Sequence, residues 1–107
     1  MHHRREQQSL EMHRRIAGRL RDDPNAVLAK AFANLDSWLQ RQAGGASEAV
    51  LVEWRKLLET SSIAEIAAFL GSEEERAVRM RQSSPFAGVL APQEVWEIKK
   101  HYATARA

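Results

Sequence analysis

The sequence predicts an all-α fold, a compact bundle of about six short to medium helices that form a single domain. Apolar residues recur with the period of an α-helix along most of the chain, whereas no stretch alternates in the manner of a β-strand. Capping residues, prolines and glycines divide this pattern into separate segments. The chain has 107 residues, 44% of them hydrophobic and 28% charged, as expected for one small soluble domain.

The first helix is predicted to begin near Ser9. His13 shares its apolar arc with four aliphatic residues, and arginines occupy the opposite arc. The aliphatic residues are Leu10, Ile16, Ala17 and Leu20. We expect His13 to be a partly buried core residue rather than a metal ligand. Residues 1–8 show no comparable periodicity, so they predict a flexible basic tail ahead of a helical domain that spans 9–107.

Two longer helices are predicted next. Asp23 and Pro24 mark the start of the second one, because aspartate caps a helix and proline suits the first helical position. Its apolar stripe continues until Gly44 and Gly45 interrupt it. A third helix is predicted over 47–60, where a serine stands at the capping position and a separate apolar face follows.

Two short helices joined by a tight turn are predicted over 63–70 and 73–82. Each begins with the serine-to-glutamate spacing of a capping box, in which each side chain accepts a hydrogen bond from the other residue's backbone N–H. The two pairs are Ser62 with Glu65 and Ser72 with Glu75. Gly71 lies between these helices, where it is expected to stop the first one.

The last helix is predicted over 92–104, because Pro92 suits a first helical position and four later residues share one face. Those residues are Val95, Trp96, Lys99 and Tyr102. Most aromatic side chains of the chain fall on such apolar faces, so we expect them in the core. Phe69 lies beside the apolar line of its helix and Phe86 lies in a loop, and burial is expected for both.

The stretch 76–90 carries the most information, since a basic helix end leads into a loop rich in apolar residues. The residue before Pro85 is pushed out of the helical region, so the helix should end by about Ser83 or Ser84. Gly88 permits a backbone angle that is closed to other residues. Such a loop either fills the core or offers a docking surface to a partner.

We expect this stretch to divide the two roles between apolar and polar residues. The residues expected to hold the loop on the core are Pro85, Val89 and Leu90, and those expected to face outward are Arg79, Arg81, Ser83 and Ser84. Arginines and hydroxyls on an exposed surface would donate hydrogen bonds to an acidic partner. The predicted partner-binding residues are Arg76, Arg79, Arg81, Ser83, Ser84 and Phe86.

The charges are segregated along the chain although the net charge is only +2. Residues 1–21 hold six basic and two acidic side chains, residues 22–75 hold four basic and ten acidic ones, and residues 76–107 hold six basic and two acidic ones. Such a chain can pair its basic ends with its acidic middle or present a basic surface to an acidic partner. Self-compensation on a solvated surface is the favoured interpretation.

Several classes of function lack their sequence signals here. The chain has no cysteine, which excludes disulfides and thiolate metal sites and fits a reducing compartment. It has no apolar run long enough to span a membrane and no secretory signal, so we expect a cytoplasmic protein. Nucleophile-elbow and glycine-rich phosphate motifs are absent, and no two histidines have the spacing of ligands on one helix face. The sequence therefore predicts no enzyme, no cofactor and no metal site.

A DNA-binding repressor is the alternative hypothesis, because residues 63–82 have the spacing of a helix-turn-helix. The second helix of that motif offers its first residues to base edges, and here those are Glu73, Glu74 and Glu75. Carboxylates in this place oppose contact with phosphates, so DNA is the disfavoured partner. The candidate nucleic-acid contacts are basic residues of the N-terminal region: Arg4, Arg5, Arg14 and Arg15.

A family resemblance rests on two stretches and several single residues. They are Arg81-Gln82-Ser83-Ser84-Pro85-Phe86-Ala87-Gly88-Val89-Leu90, Ser9-Leu10-Glu11-Met12-His13, Trp38, Trp54-Arg55, Pro92 and Trp96. This combination resembles a set of small bacterial proteins that are antitoxins of toxin–antitoxin pairs. The resemblance implies a helical protein that binds and neutralises a separate enzyme, with toxins of nucleotidyltransferase type as candidate partners. A protein-binding antitoxin is therefore the first hypothesis, and its oligomeric state stays open.

Overall fold

The computed structural model describes residues 2–41 and 46–104, and over these ranges the chain is helical, with no β-strand. The helices are α1 (His2–Asp22), α2 (Pro24–Arg41), α3 (Ala46–Thr60), α4 (Ile63–Leu70), α5 (Glu75–Arg81) and α6 (Pro92–Thr104). They pack into a compact bundle, so the predicted all-α fold is confirmed. The interruption predicted at Gly44 and Gly45 lies outside the described residues.

Several predicted helix ends are confirmed, because the capping contacts form as the sequence pattern requires. α2 begins at Pro24, and the Asp23 carboxylate accepts a hydrogen bond from the Ala26 N–H at 3.3 Å. α4 begins with a complete capping box, in which the Ser62 hydroxyl accepts from the Glu65 N–H at 3.1 Å and the Glu65 carboxylate accepts from the Ser62 N–H at 2.8 Å. The hydrogen bond from the Ser62 N–H lowers the pKa of Glu65.

Two predicted helix starts are wrong. α1 begins at His2 rather than near Ser9, because the intervening arginine, glutamate and glutamine residues favour a helix and contain no proline or glycine to end one. α5 begins at Glu75 rather than two residues earlier, since the Ser72 hydroxyl accepts from the Glu74 N–H at 3.1 Å and forms a turn ahead of the helix. The flexibility predicted for residues 1–8 stays a prediction.

One hydrophobic core joins all six helices. α1 packs mainly against α4 and also contacts α2 and α6, while α2 packs against α3. Every helix contributes to this core, and so does the loop between α5 and α6. The core includes Ile16, Leu20, Leu35, Trp54, Ile66, Leu70, Met80, Phe86, Leu90 and Ile98. The loop is therefore part of the same packed interior as the helices, and its conformation depends on them.

α6 packs mainly against α1, and its buried face differs from the predicted one. Ile98 is buried, and Val95 and Tyr102 are partly buried against the core, whereas Trp96 is 55% exposed. Burial follows positions three and four residues apart, and one residue further along a helix turns by about 100°, which takes Trp96 away from the core. Among the described helices, none combines the length and the apolar character that a membrane span needs.

Candidate functional site

The loop that joins α5 to α6, residues 82–91, is anchored by aromatic packing. Phe86 is fully buried and meets Trp54 edge-on, with ring centroids 5.8 Å apart. Trp54 also packs against Phe69 at 5.7 Å and donates its indole N–H to the Met80 carbonyl at 2.8 Å. A ring that is both packed and hydrogen-bonded fixes its neighbours. Phe86 is therefore a buried anchor, as the aromatic pattern indicated, and its role in partner binding stays a prediction.

Asn34 of α2 holds the middle of the loop through hydrogen bonds, in addition to the packing of Phe86 on Trp54. Its side-chain amide donates hydrogen bonds to the carbonyls of Pro85 and Ala87 at 2.8 and 2.9 Å. Gly88 follows with a φ of +86°, a conformation that glycine adopts without strain, and the Lys30 side chain lies against it. The core contacts predicted for the loop are confirmed for Pro85, Val89 and Leu90. The loop is thus held from both sides in one conformation.

Arg81 is only 5% exposed, so the prediction that it faces outward is wrong. Its Nη1 donates to the carbonyl of Leu70, the last residue of α4, at 3.3 Å and to that of Ser72 at 2.6 Å. A guanidinium in this place satisfies free carbonyls and opposes the negative end of the α4 dipole. Arg81 therefore caps α4, and its burial is the main reason why its pKa is lowered.

His13 links α1 to the loop. Its Nδ1 lies 2.7 Å from the Ser9 carbonyl and its Nε2 lies 2.8 Å from Ser84 Oγ. Because a carbonyl only accepts, Nδ1 carries the proton, and Nε2 accepts from the Ser84 hydroxyl. Burial is the largest cause that lowers the pKa of His13 to about 4, so the ring is neutral at pH 7. The predicted core histidine is confirmed, whereas Ser84 is turned toward α1 rather than outward and Ser83 beside it is half-buried.

Arg76 and Arg79 lie on the exposed side of α5, where Glu53 of α3 holds both. Arg76 Nε donates to the Glu53 carboxylate at 2.9 Å, and Arg79 Nη2 donates to it at 3.1 Å. The hydrogen bond from Arg76, with a smaller one from Arg79, lowers the pKa of Glu53. Arg76 also lies over the Phe69 ring, 5.4 Å from its centroid. A partner that bound these two predicted residues would compete with Glu53.

The candidate nucleic-acid contacts all lie on α1 but differ in their surroundings. Arg14 lies 3.9 Å from Glu73. Arg15 pairs with carboxylates of α1 and α6 at 3.1 and 3.5 Å. Arg4 and Arg5 are exposed, and neither makes an ion pair within the described part of the chain. The expected pairing of a basic end with the acidic middle is therefore present for Arg14, whereas Arg15 pairs with carboxylates of the two end segments.

Two clefts open where α1, α5 and the loop meet. The first, the Arg81 pocket, has a volume of about 470 Å³ and lies between the N-terminal part of α1 and the end of α5. The second, the loop cleft, has a volume of about 410 Å³ and lies between α1, the loop and α6. Arg81 and Gln82 line both. The apolar side chains that line the loop cleft are Met12, Ile16, Phe86, Leu90 and Val95.

Two features bear on the chemistry of the site: the placement of its histidine and acidic side chains, and the contact between Ser84 and His13. Among residues 2–41 and 46–104, no group of three or more histidine, aspartate and glutamate side chains is placed to hold a metal ion. Ser84 and His13 have the hydrogen bond of a nucleophile and its base. However, a base with a pKa of about 4 takes up protons poorly at neutral pH, so the contact fits a structural link better than a reaction centre.

Sequence reasoning missed Asn34, although a signal for it was present. Asn34 lies three residues after Ala31 and four before Trp38, both members of the apolar stripe of α2. A polar residue at such a position points toward the core edge, where its amide needs hydrogen-bond partners. The partners are carbonyls of a loop about fifty residues later, which no local pattern identifies.

The stretch 81–90 therefore divides into buried anchors and a cleft wall. Arg81, Pro85 and Phe86 hold it in place, while Gln82, Ala87 and Gly88 are exposed, and all three line the loop cleft. The arrangement offers a rigid concave surface with an apolar floor and polar groups at its edge. Comparisons with protein-family models, with curated proteins and with solved structures find no match for this chain, so its own residues carry the functional inference.

Proposed function

We propose that this chain is a protein-binding module that acts as an antitoxin, neutralising a partner enzyme by direct contact. The observation that carries the proposal is the position of residues 81–90, on which the family resemblance rests, along one wall of the loop cleft. The partner implied by the resemblance is an enzyme of nucleotidyltransferase type. The exposed backbone and side chains of this wall, rather than Arg76 and Arg79, are its contact surface.

The loop cleft suits a protein partner because its wall is held rigid before binding. Asn34, Trp54 and His13 each bind the loop or the helix end that precedes it. A surface that is already ordered loses little conformational entropy on association, so more of the contact energy remains as affinity. Met12 and Val95 stay partly exposed on its floor, and an apolar centre within a polar rim is typical of protein interfaces.

Trp96 marks the edge of this surface on α6. It is 55% exposed, it follows Val95 in the chain, and it lies one helical turn before Lys99, which lines the cleft. The Lys100 ammonium lies 4.9 Å from the centre of the Trp96 ring. Exposed tryptophan beside basic residues is a common anchor of protein complexes. We propose that a segment of the partner enters the cleft and that Trp96 covers its edge.

Co-expression with the product of the adjacent gene tests the proposal. Ala87 is exposed and lines the cleft, so Ala87→Arg should obstruct it without disturbing the core. Ala64→Arg is the matched control, because Ala64 is exposed on α4 and does not line the cleft. We expect Ala87→Arg to abolish co-purification and to restore the toxicity of the partner, while Ala64→Arg preserves both complex and growth. Failure of the unaltered chain to bind that product, or equal binding by the two variants, would contradict the proposal.

DNA binding is the weaker alternative. The second helix of the suspected helix-turn-helix has only seven residues, and three carboxylates stand at its start. Two of its arginines are held by Glu53. Phosphates would therefore meet carboxylates first, and the electrostatic attraction that DNA binding needs would be weakened. A gel shift with the upstream DNA tests this alternative, which requires binding that weakens as the salt concentration rises.

A further inference from the structure

We propose that the Arg81 pocket binds an acidic side chain of the partner protein, an aspartate or glutamate whose carboxylate accepts hydrogen bonds from Arg81 and Arg5. This inference rests on the proposed protein-binding function and names the chemistry that this part of the surface recognises. The sequence predicts an exposed Arg81 facing an acidic partner, whereas here the acidic group enters a pocket and meets an Arg81 that is nearly buried.

Arg81 enters the pocket with unused donors. Within the described part of the chain only its Nη1 makes hydrogen bonds, both to carbonyls at the end of α4. No side-chain nitrogen or oxygen among the described residues is both fully buried and without a partner, so Nε and Nη2 keep some contact with solvent. Arg81 lines both clefts, so a ligand in the pocket can reach its guanidinium. A nearly buried guanidinium with two free donor groups is suited to a carboxylate, since it offers parallel N–H groups in a fixed plane.

The other groups of the pocket complete a site for one negative charge. Its charged residues are Arg5, Glu6 and Arg81, which give a net charge of +1. The hydroxyl of Ser9 and the amide of Gln82 supply further donors, and Val78 forms an apolar wall. Neither arginine makes an ion pair with a carboxylate of the described chain. The hydrogen bonds that the Arg81 guanidinium donates go to backbone carbonyls, and Glu6 and Glu73 favour its charged form without an ion pair, so direct contact with a carboxylate is left to a ligand.

Because Glu6 contributes a negative charge, the pocket favours a singly charged carboxylate over a more highly charged ligand. A single carboxylate balances the net charge of the pocket, whereas a phosphate dianion would exceed it and would meet the Glu6 carboxylate beside Arg81. Glu6 also acts on Arg81 by favouring its charged form. It is therefore an internal competitor of the incoming side chain, and its removal should strengthen binding rather than weaken it.

An NMR titration tests this directly, with the full chain labelled at nitrogen. The probe is a capped pentapeptide of four glutamates around one leucine, and its counterpart with four glutamines is the uncharged reference, both at one ionic strength. We expect the glutamate peptide to shift the Arg81 Nε–H signal in a saturable way and the glutamine peptide to leave it unchanged. Unchanged Arg81 signals, or equal shifts with both peptides, would overturn the proposal.

Three variants separate a built site from general attraction to a basic helix. Arg5→Gln should weaken binding about fivefold, the effect of losing one charge-assisted contact. Arg4→Gln is the matched control, because Arg4 is exposed beside Arg5 and does not line the pocket. This variant should bind the peptide with an affinity within about twofold of the unaltered chain. Glu6→Gln should tighten binding about threefold. Equal weakening by Arg4→Gln and Arg5→Gln, or weaker binding by Glu6→Gln, would contradict the assignment.

Two further comparisons keep the possible failures apart. Inorganic phosphate that binds more tightly than the peptide and depends on Arg5 would overturn the choice of a carboxylate. A chain that binds the peptide in this pocket yet forms no complex with its neighbouring product contradicts the proposed function alone. If the Arg5→Gln variant binds that product as tightly as the Arg4→Gln variant does, the result contradicts the present inference alone.

Discussion

Protonation of His13 should destabilise the protein over a defined pH range. Burial lowers the pKa of His13 to about 4 in the folded chain, whereas a histidine in the unfolded chain keeps a value near 6.5. Between these values the unfolded chain takes up a proton that the folded chain does not bind, so the free energy of unfolding falls as the pH falls. At about 1.4 kcal/mol per pH unit, the loss across the whole range is about 3 kcal/mol.

Urea unfolding followed by far-UV circular dichroism measures this loss. The free energy of unfolding is determined at several values between about pH 7 and about pH 4, and a small domain has about 5–15 kcal/mol in total, so the change is large enough to detect. Carboxylates titrate in the same range and contribute their own slope. Subtracting the curve of His13→Asn isolates the histidine, because the variant keeps the carboxylates and loses the titrating ring.

His101→Asn is the matched control for this measurement. His101 lies exposed on α6, whereas His13 is 6% exposed between Ser9 and Ser84. We expect His101→Asn to keep the pH dependence of the unaltered chain and His13→Asn to flatten it between about pH 6.5 and about pH 4. Equal losses in the unaltered chain and in His13→Asn would show that the histidine is not held neutral by burial.

Other substitutions test the contacts that hold the loop, each by urea unfolding. Asn34→Ala should lower the free energy of unfolding by about 2 kcal/mol, because two loop carbonyls lose their hydrogen-bond donor. Asn25→Ala, at an exposed position of α2, should change it by under about 0.5 kcal/mol. Gly88→Ala should lower the free energy of unfolding by about 1–2 kcal/mol, because a Cβ strains the positive φ and lies 2.8 Å from the Lys30 side chain. Gly18→Ala, which meets open space in α1, should raise the free energy of unfolding by about 0.5–1 kcal/mol. Arg81→Met should cost about 2–4 kcal/mol because the carbonyls at the end of α4 lose their donor. Equal effects within the asparagine pair or the glycine pair, or a neutral Arg81→Met, would contradict these assignments.

The helix ends that sequence predicts well are those set within one turn. Pro24, Pro92 and the Ser62 to Glu65 box specify their helix starts through contacts among neighbours, and the structure has these starts where the pattern puts them. The start of α1 is different. An apolar-face criterion places it near Ser9, yet polar residues of good helix propensity carry the helix back to His2 without a core to face.

Whether Arg81 is buried or exposed is harder to predict, because its charge and its spacing from buried residues favour opposite outcomes. The charge of Arg81 favours exposure, but Arg81 lies four residues after the buried Ala77, so its spacing favours the core. Burial prevails because the guanidinium donates hydrogen bonds to the carbonyl of Leu70, at the end of α4, and to that of Ser72, two residues later. These acceptors lie outside α5, so only the packing of α4 against α5 identifies them.

The buried residues of the stretch 81–90 limit what the sequence resemblance says about function. Arg81, Pro85 and Phe86 are required to build the loop in this fold, so a chain that shares them shares the architecture first. Under the proposed function, the choice of partner resides in residues that the fold leaves exposed, such as Gln82 and Ala87 on the cleft wall. A chain that keeps the buried anchors and changes the exposed positions is therefore expected to keep the bundle and to bind a different protein, and exchanging only the exposed positions between two such chains should exchange their partners.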